Sequence, residues 1–530
     1  MASKARDMHE LGRRWSAELE ASGKEYKTWR ERAKKVVDRY RDERNTTARG
    51  QHRYNILWSN VQTILPAVYA KMPRPEVSRR YNDKDPVGRM ASVILERCLA
   101  YELEHYPDYH SALRNSVLDR LLPGRGVSWV RYDPHVEPAP PVQDAQTEGR
   151  EEPEGLGGSG QVTEDASKEG MERLAYECAP TDYVAWQDFE HQAAPTWEEV
   201  EWVARRVYMT REKVAERFGE KAADAVPYSH RPREYRDDKQ MPAGKEHLAR
   251  ACVWEVWSKP TNEALWIADG YESVLDVKDD PLRLDGFFPC PRPLYATLTT
   301  DTLVPIPDYC QYQDQASELD ELTQRIRLLV KACKVAGVYD ATAKGLQQLL
   351  SEGTENKLIP VDSWAAFAER GGVKGAVQFL PLAEIVAALQ QLYVARESVK
   401  QVIYEVTGIA DIVRGSSNAS ETATAQQIKS RFASLRIQEL QNDVARYASD
   451  LLRMKAQIIC RFFRPETLVE MSGIQQTTEA QQKPELVPAA LQLLKSEPIR
   501  AFRISVATDS MVDLDAQEEQ QRRVEYLTAS

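Results

Sequence analysis

The sequence holds no apolar run approaching the roughly 18 residues that a membrane-spanning helix needs. Its first residues, MASKARDMHELGRRW, are charged throughout and lack the apolar core of a secretory signal. Those two absences predict a cytosolic chain with no use for a membrane. The seven cysteines (Cys98, Cys178, Cys252, Cys290, Cys310, Cys333 and Cys460) include no C-x-x-C pair, which argues against a zinc or disulfide framework and predicts small buried hydrophobes. There is no G-x-x-x-x-G-K-[ST], no H-E-x-x-H and no G-x-S-x-G. The eight histidines form no ligand cluster that spacing reveals, and His105 and His110 read as surface residues. Carboxylates are many, but no pair stands out from a solvated charged surface. No catalytic, cofactor or metal site is therefore expected, and the chain is read as a non-enzyme.

Two motif matches fail on context. Gly155-Leu156-Gly157-Gly158-Ser159-Gly160 fits G-x-G-x-x-G, but it neither follows a strand nor opens a helix, as a dinucleotide loop must. Asn418-Ala419-Ser420 fits a glycosylation acceptor, which means nothing in a cytosolic chain. The formal net charge of -11 argues against a surface that grips phosphates everywhere. It allows a protein that lets nucleic acid pass without holding it.

What the chain does have is helix, some sheet, and length for about three to four domains. Residues 5 to 48 place Trp15, Leu19, Tyr26, Trp29, Val36, Val37 and Tyr40 at helical spacings. The stretch from Tyr54 carries one apolar face (Ile56, Leu57, Val61, Ile64, Leu65, Val68), which Pro66 should kink or end. Residues 86 to 122 predict a further helical region, and 126 to 133 a strand. Residues 134 to 172 are rich in Pro, Gly, Glu and Gln, and predict a disordered insertion. From 174 to 310 β-formers cluster between turns, with Trp186, Trp197, Trp202, Trp254, Trp257 and Trp266 as expected core residues and TREKVAERFG as a short helix.

A helix then begins near 313, with Gln315, Leu319, Leu322, Ile326, Leu329, Val330 and Cys333 on one face and Gly337 as its expected end. A module of short elements follows to 381, then a second helix over 383–407. The stretch GIADIVRGSSNASETATA comes next, and Arg414 to Ser420 is small and polar. Ser420 is the expected N-cap of the longest helix, which at 1.5 Å per residue would run about 65 Å from 421 to 464. Leu435, Leu440, Val444, Tyr447, Leu451 and Ile458 step along it with helical spacing. Residues 484 to 496 predict another helix, FRISVATDS a strand, and AQEEQQRRVEYL the start of one more helix.

This order resembles the portal, or head-to-tail connector, proteins of tailed bacteriophages, the short-tailed type above all. The likeness is carried by YNILWSNVQTILPAVYAKMPRPEV, by Val304 to Asp320, by RGSSNASETATAQQIKSRFASLRIQELQNDVAR and by FRISVATDSMVDLDAQEEQQRRVEYL. It implies an α+β portal fold. Residues 1–312 would be an α/β wing, with the insertion 134–172 inside it. Residues 313–336 and 383–408 would be the two stem helices, and 337–382 a small α/β clip between them. Residues 409–421 would be the tunnel loop, 422–464 the helix crossing back to the wing, 465–514 the returning wing segment, and 515–530 the start of a short or truncated helical crown.

The resemblance also implies a function and partners. The chain would form a homo-oligomeric, dodecameric ring at one capsid vertex of the virion, assembled in the host cytoplasm. Double-stranded DNA would pass through it during genome packaging and ejection. The terminase large subunit, tail adaptor proteins, and the major capsid and scaffolding proteins would be its partners. Arg414, Ser416, Ser417 and Asn418 would face the DNA channel, while Lys344, Gln347, Gln348, Glu352, Glu355 and Lys357 would be clip contacts for motor or adaptor. Small residues let such a loop follow a duplex whose symmetry differs from that of the ring. A ring of twelve chains would carry a formal charge of about -130, along which a duplex slides rather than sticks if the wall shares that sign. Two other readings compete: a helical head-tail adaptor or scaffold without a DNA channel, and an enzyme built from dispersed carboxylates.

Overall fold

Tyr26 splits the amphipathic N-terminal stretch into two helices, α1 (Met8–Glu25) and α2 (Lys27–Tyr40). Asp7 caps α1 by accepting the backbone N–H groups of His9 and Glu10. The computed structural model describes residues 7–43, 52–80, 84–138, 172–230, 249–332, 337–339, 377–379, 382–409, 423–496 and 501–506. It is an α+β protein of two compact units. One unit comprises Met1–Lys35, Ile64–Pro307 and Ile437–Ser530; the other comprises Val36–Thr63 and Asp308–Arg436.

Helix α3 (Ile56–Val68) carries Pro66 in its last turn and stops two residues later. Strand β1 (Pro75–Arg79) follows. The region 86 to 122, expected as one helical stretch, is two helices, α4 (Pro86–His105) and α5 (Asp108–Leu121), because Pro107 interrupts it. Asp85 and Pro86 start α4: the carboxylate accepts from Val87 and Gly88, and Pro86 gives up an N–H that the first turn cannot use.

Every residue of β2 (Arg125–Val130) is buried. A Cβ on Gly126 would lie 1.9 Å from the Ser116 carbonyl oxygen, so α5 crosses β2 at a distance only glycine permits. Strand β3 (Asp133–Pro138) pairs antiparallel with β4 (Glu172–Cys178), Pro138 opposite Glu172. The insertion expected over 134–172 is thus narrower at both ends. An isolated two-stranded ribbon has free edges where Pro134 and Pro138 need donate no hydrogen bond, and His135 stacks on Tyr176 at 4.2 Å. Residues 139–171 lie outside the described residues.

Strand β5 (Thr181–Val184) flanks β2 on one side. A five-stranded antiparallel meander follows: β6 (Phe189–His191), β7 (Trp202–Met209), β8 (Ala251–Ser258), β9 (Glu263–Ala268) and β10 (Val274–Asp279). Two short helices, α6 (Arg211–Phe218) and α7 (Glu220–Ala225), sit between β7 and β8 in sequence. Trp15 and Leu19, four residues apart on α1, bury themselves on this sheet against Trp202, Trp254, Leu265 and Ile267. Trp15 meets Trp202 edge-on at 5.9 Å. Of the six tryptophans expected in the core, five are buried. Trp197, in a short 3-10 turn, is half-exposed. Strand β11 (Leu294–Tyr295) closes the other side of β2, and β12 (Thr297–Thr299) pairs with β13 (Thr302–Ile306).

The second unit is built on α8 (Gln313–Ala332) and α9 (Leu382–Thr407), which pack together. Between them in sequence, β14 (Gly337–Tyr339) pairs antiparallel with β15 (Val377–Phe379). Gly337 opens a strand rather than closing α8; the described helix already stops at Ala332. Helix α10 (Ala423–Phe462) is the longest, at 40 residues, and its later half buries Val444, Tyr447, Leu451 and Ile458 in the first unit. Leu435, expected on the same apolar face, is exposed. Pro465 starts α11 (Pro465–Ser472) as its N1 residue, and α12 (Thr478–Gln482) and α13 (Leu486–Ser496) follow. The last described strand, β16 (Phe502–Val506), pairs antiparallel with β1, Val77 opposite Ile504. The expected helix over AQEEQQRRVEYL and any crown lie outside the described residues.

Candidate assembly surface

Helix α8 is amphipathic by sequence, and the face it buries carries Ala316, Leu319, Leu322 and Ile326. Its second turn is held by a polar node. Asp320 takes both terminal nitrogens of Arg39, at 2.6 and 3.0 Å, and the Tyr54 N–H at 2.8 Å. The same guanidinium donates to the Tyr54 carbonyl at 3.2 Å. A half-buried bidentate pair of this kind sets geometry as well as energy. Lys400 of α9 pairs with Glu397 at 2.9 Å and lies 5.0 Å from the centre of the Tyr54 ring. Val399 and Ile403 turn the inner face of α9 into core.

The outer faces differ from an ordinary solvated helix pair. Of the twelve large hydrophobic side chains exposed among the described residues, seven sit on these two helices: Leu328 and Val330 on α8, and Val386, Tyr393, Val394, Val402 and Val406 on α9. Val330 was expected on the packed face of α8, yet it is 49% exposed; Val394 is 65% exposed. Such a concentration of apolar surface marks an interaction face more often than a solvated one.

Helix α9 ends on Gly408, at φ +71. Its N–H bonds the Tyr404 carbonyl, and Arg436 of α10 donates to the Val406 carbonyl at 3.0 Å. A left-handed residue and a cation at the last turn satisfy carbonyls that a helix end leaves unpaired. The polar stretch anticipated after Gly408 begins from this closed end, and Ile409 beside it is buried. Arg414, Ser416, Ser417 and Asn418, the expected N-cap Ser420, and the clip residues Lys344, Gln347, Gln348, Glu352, Glu355 and Lys357 all lie outside the described residues.

One cluster was not anticipated. The histidine spacing suggested no ligand group, but the fold brings His230, Cys252 and Asp269 together, with their donor atoms all within 4.8 Å of one another. No local motif announces them, because Cys252 is on β8, Asp269 follows β9, and His230 bridges to Arg250 from outside the sheet. Of the two histidines read as surface residues, His105 is exposed and stacks on Tyr101, whereas His110 is half-buried and meets the Tyr69 hydroxyl at 2.8 Å. Five of the six described cysteines are buried; Cys310 is half-exposed.

No described helix is long and apolar enough to cross a membrane. No protein-family model matches the chain, and no curated protein matches it.

Proposed function

We propose that this chain is the subunit of a portal-type ring, a channel at one capsid vertex through which double-stranded DNA is packaged and later ejected. The first unit would form the wing, α8 and α9 the stem, the residues between them the clip, and the loop after Gly408 the channel constriction. The observation that carries this reading is the exposed apolar surface of α8 and α9 among the described residues. In a ring each subunit presents two different surfaces to its neighbours. A helix pair with valines and a tyrosine facing outward has what such a heterologous contact needs. The terminase large subunit, tail adaptors, and the capsid and scaffolding proteins would then meet the ring from outside, and no catalytic role is assigned to the chain.

The experiment is negative-stain electron microscopy of the purified protein with its mass measured by native spectrometry. Rings with a central hole and a mass near twelve chains are the expected result. A chain that stays monomeric at high concentration, alone and with scaffolding protein, would move the reading to a helical head-tail adaptor. The loop is tested separately. Replacing residues 414–418 with a bulky segment should leave rings intact and lower the amount of DNA packaged or retained; unchanged packaging would remove the loop from the mechanism.

A further inference from the structure

We propose that His230, Cys252 and Asp269 form a zinc site that clips the segment before residue 231 to the start of β8 and the end of β9, two inner strands of the five-stranded sheet. A thiolate, an imidazole and a carboxylate make a donor set suited to Zn2+, with one position left for water. Among the described residues this is the one group of three ligand-type side chains that converges. Zinc bonds of about 2.0–2.3 Å hold tetrahedral donors about 3.3–3.8 Å apart, so donors within 4.8 Å need close by about 1.5 Å at most.

Backbone hydrogen bonds bring the three ligands together. Asp269 donates its N–H to the Cys252 carbonyl at 2.9 Å, which places the end of β9 beside the thiol. His230 and Arg250 exchange both backbone hydrogen bonds, at 3.1 and 2.8 Å, which docks the histidine two residues before Cys252 on the neighbouring chain segment. Gly270, at φ +77, makes the turn after Asp269 with Pro227 against it; a Cβ there would lie 2.9 Å from the Pro227 ring. The segment 227–230 is therefore packed on the turn that carries the carboxylate.

The side chains are also oriented. Asp269 Oδ1 accepts the Trp254 indole N–H at 3.1 Å, which leaves Oδ2 for the site. His230 Nε2 faces Oδ2 at 3.6 Å, and its Nδ1 is 3.4 Å from the Ser229 hydroxyl. Partners on the far side of a ligand, of the kind seen here, fix the tautomer and angle of a metal-binding imidazole. Cys252 is buried, while His230 and Asp269 are part-exposed, so the site has a dry floor and an open mouth. Asp269 also lines an open groove of about 570 Å³. Arg206, whose charge reaches Cys252, is itself paired with Asp188 at 2.9 Å. A thiolate and a carboxylate would neutralise the ion, and binding would release the Cys252 proton to solvent.

The test uses the full chain, stripped with a chelator and titrated with Co2+ and then with Zn2+ in competition. The expected result is one ion per chain, a sulfur-to-cobalt charge-transfer band, and a higher melting temperature with metal. Cys252→Ser should abolish the band. His230→Gln should weaken binding at least tenfold while melting like the parent without metal, and Cys310→Ser should change nothing. Should Cys252→Ser fail to fold, His230→Gln decides the matter, since that side chain is part-exposed. Absence of stoichiometric uptake, uptake without a thiolate band, or binding unchanged in His230→Gln would overturn the site. None of these outcomes depends on whether the protein forms rings.

Discussion

Lys455 of α10 and Glu102 of α4 meet at 3.3 Å with neither side chain reaching solvent. Lys455 also donates to the Ala179 carbonyl at 2.5 Å, and Glu102 accepts the Ala179 N–H at 3.3 Å. The pair therefore ties the long helix to α4 and to the turn between β4 and β5. Burial pushes the Glu102 carboxyl above its ordinary value, against the opposing pull of Lys455.

Lys455→Met removes that pull and leaves a buried acid. The expected loss is about 3–5 kcal/mol, as for other broken buried pairs. A carboxyl whose folded value is raised favours the folded state below its unfolded value and loses that contribution as pH rises through the folded one. The variant should therefore be nearer the parent in mild acid than at neutral pH. Adding Glu102→Gln should restore part of the loss. Denaturant midpoints at several pH values measure both effects.

Asp119 gives a second pH dependence. Burial is the main cause that pushes its carboxyl up to about 7, although the Tyr183 hydroxyl donates to it at 2.5 Å. The sign is that of a raised acid: its contribution is full below about pH 4, falls as pH rises, and is gone above about pH 7. Asp119→Asn should therefore gain melting temperature relative to the parent between those limits. A difference that stays flat with pH would mean that Asp119 titrates normally.

Gly408→Val should loosen the end of α9. The position is left-handed, and a new Cβ would lie 2.7 Å from the Arg436 side chain. A β-branched residue there costs about 1–2 kcal/mol or more. Faster amide exchange over the last turn of α9, with the first unit unchanged, is the expected result.

Val394→Glu with Val402→Glu places charge on the exposed face of α9. Neither side chain is in the core, so circular dichroism and melting of the subunit should change little. Assembly, read by light scattering, should fall sharply. Rings that persist in the double variant would move the interface off this helix.

Helices were legible where a stripe of hydrophobes coincided with a stop signal. Pro66 and Pro465 each mark a boundary that the structure keeps, whereas the break at Pro107 inside 86 to 122 was missed. Where the partner of a residue was remote in sequence, the pattern was silent. Pro134 and Pro138 looked like disorder because their ribbon partner begins at Glu172. Val330 has the spacing of a core residue, but burial also depends on what lies opposite, which spacing does not encode. His230, Cys252 and Asp269 come from three separate segments, and only backbone pairing between remote segments brings them together. Of the candidate assembly surface, the apolar stripe of α8 was readable, but not which of its residues would be left outside, and of α9 only the helix itself was read.

The pairing of β1 with β16 bears on how the chain is made. Strand β1 leaves the ribosome more than 400 residues before its partner β16. Until then the inward side chain of Val77 and the strand's free hydrogen-bonding edge have no native mate. Contacts that join such distant segments close slowly and leave sticky intermediates during synthesis. A nascent chain therefore carries an open seam until Val506 has been made, and a chaperone that shields that seam would raise the yield of folded protein.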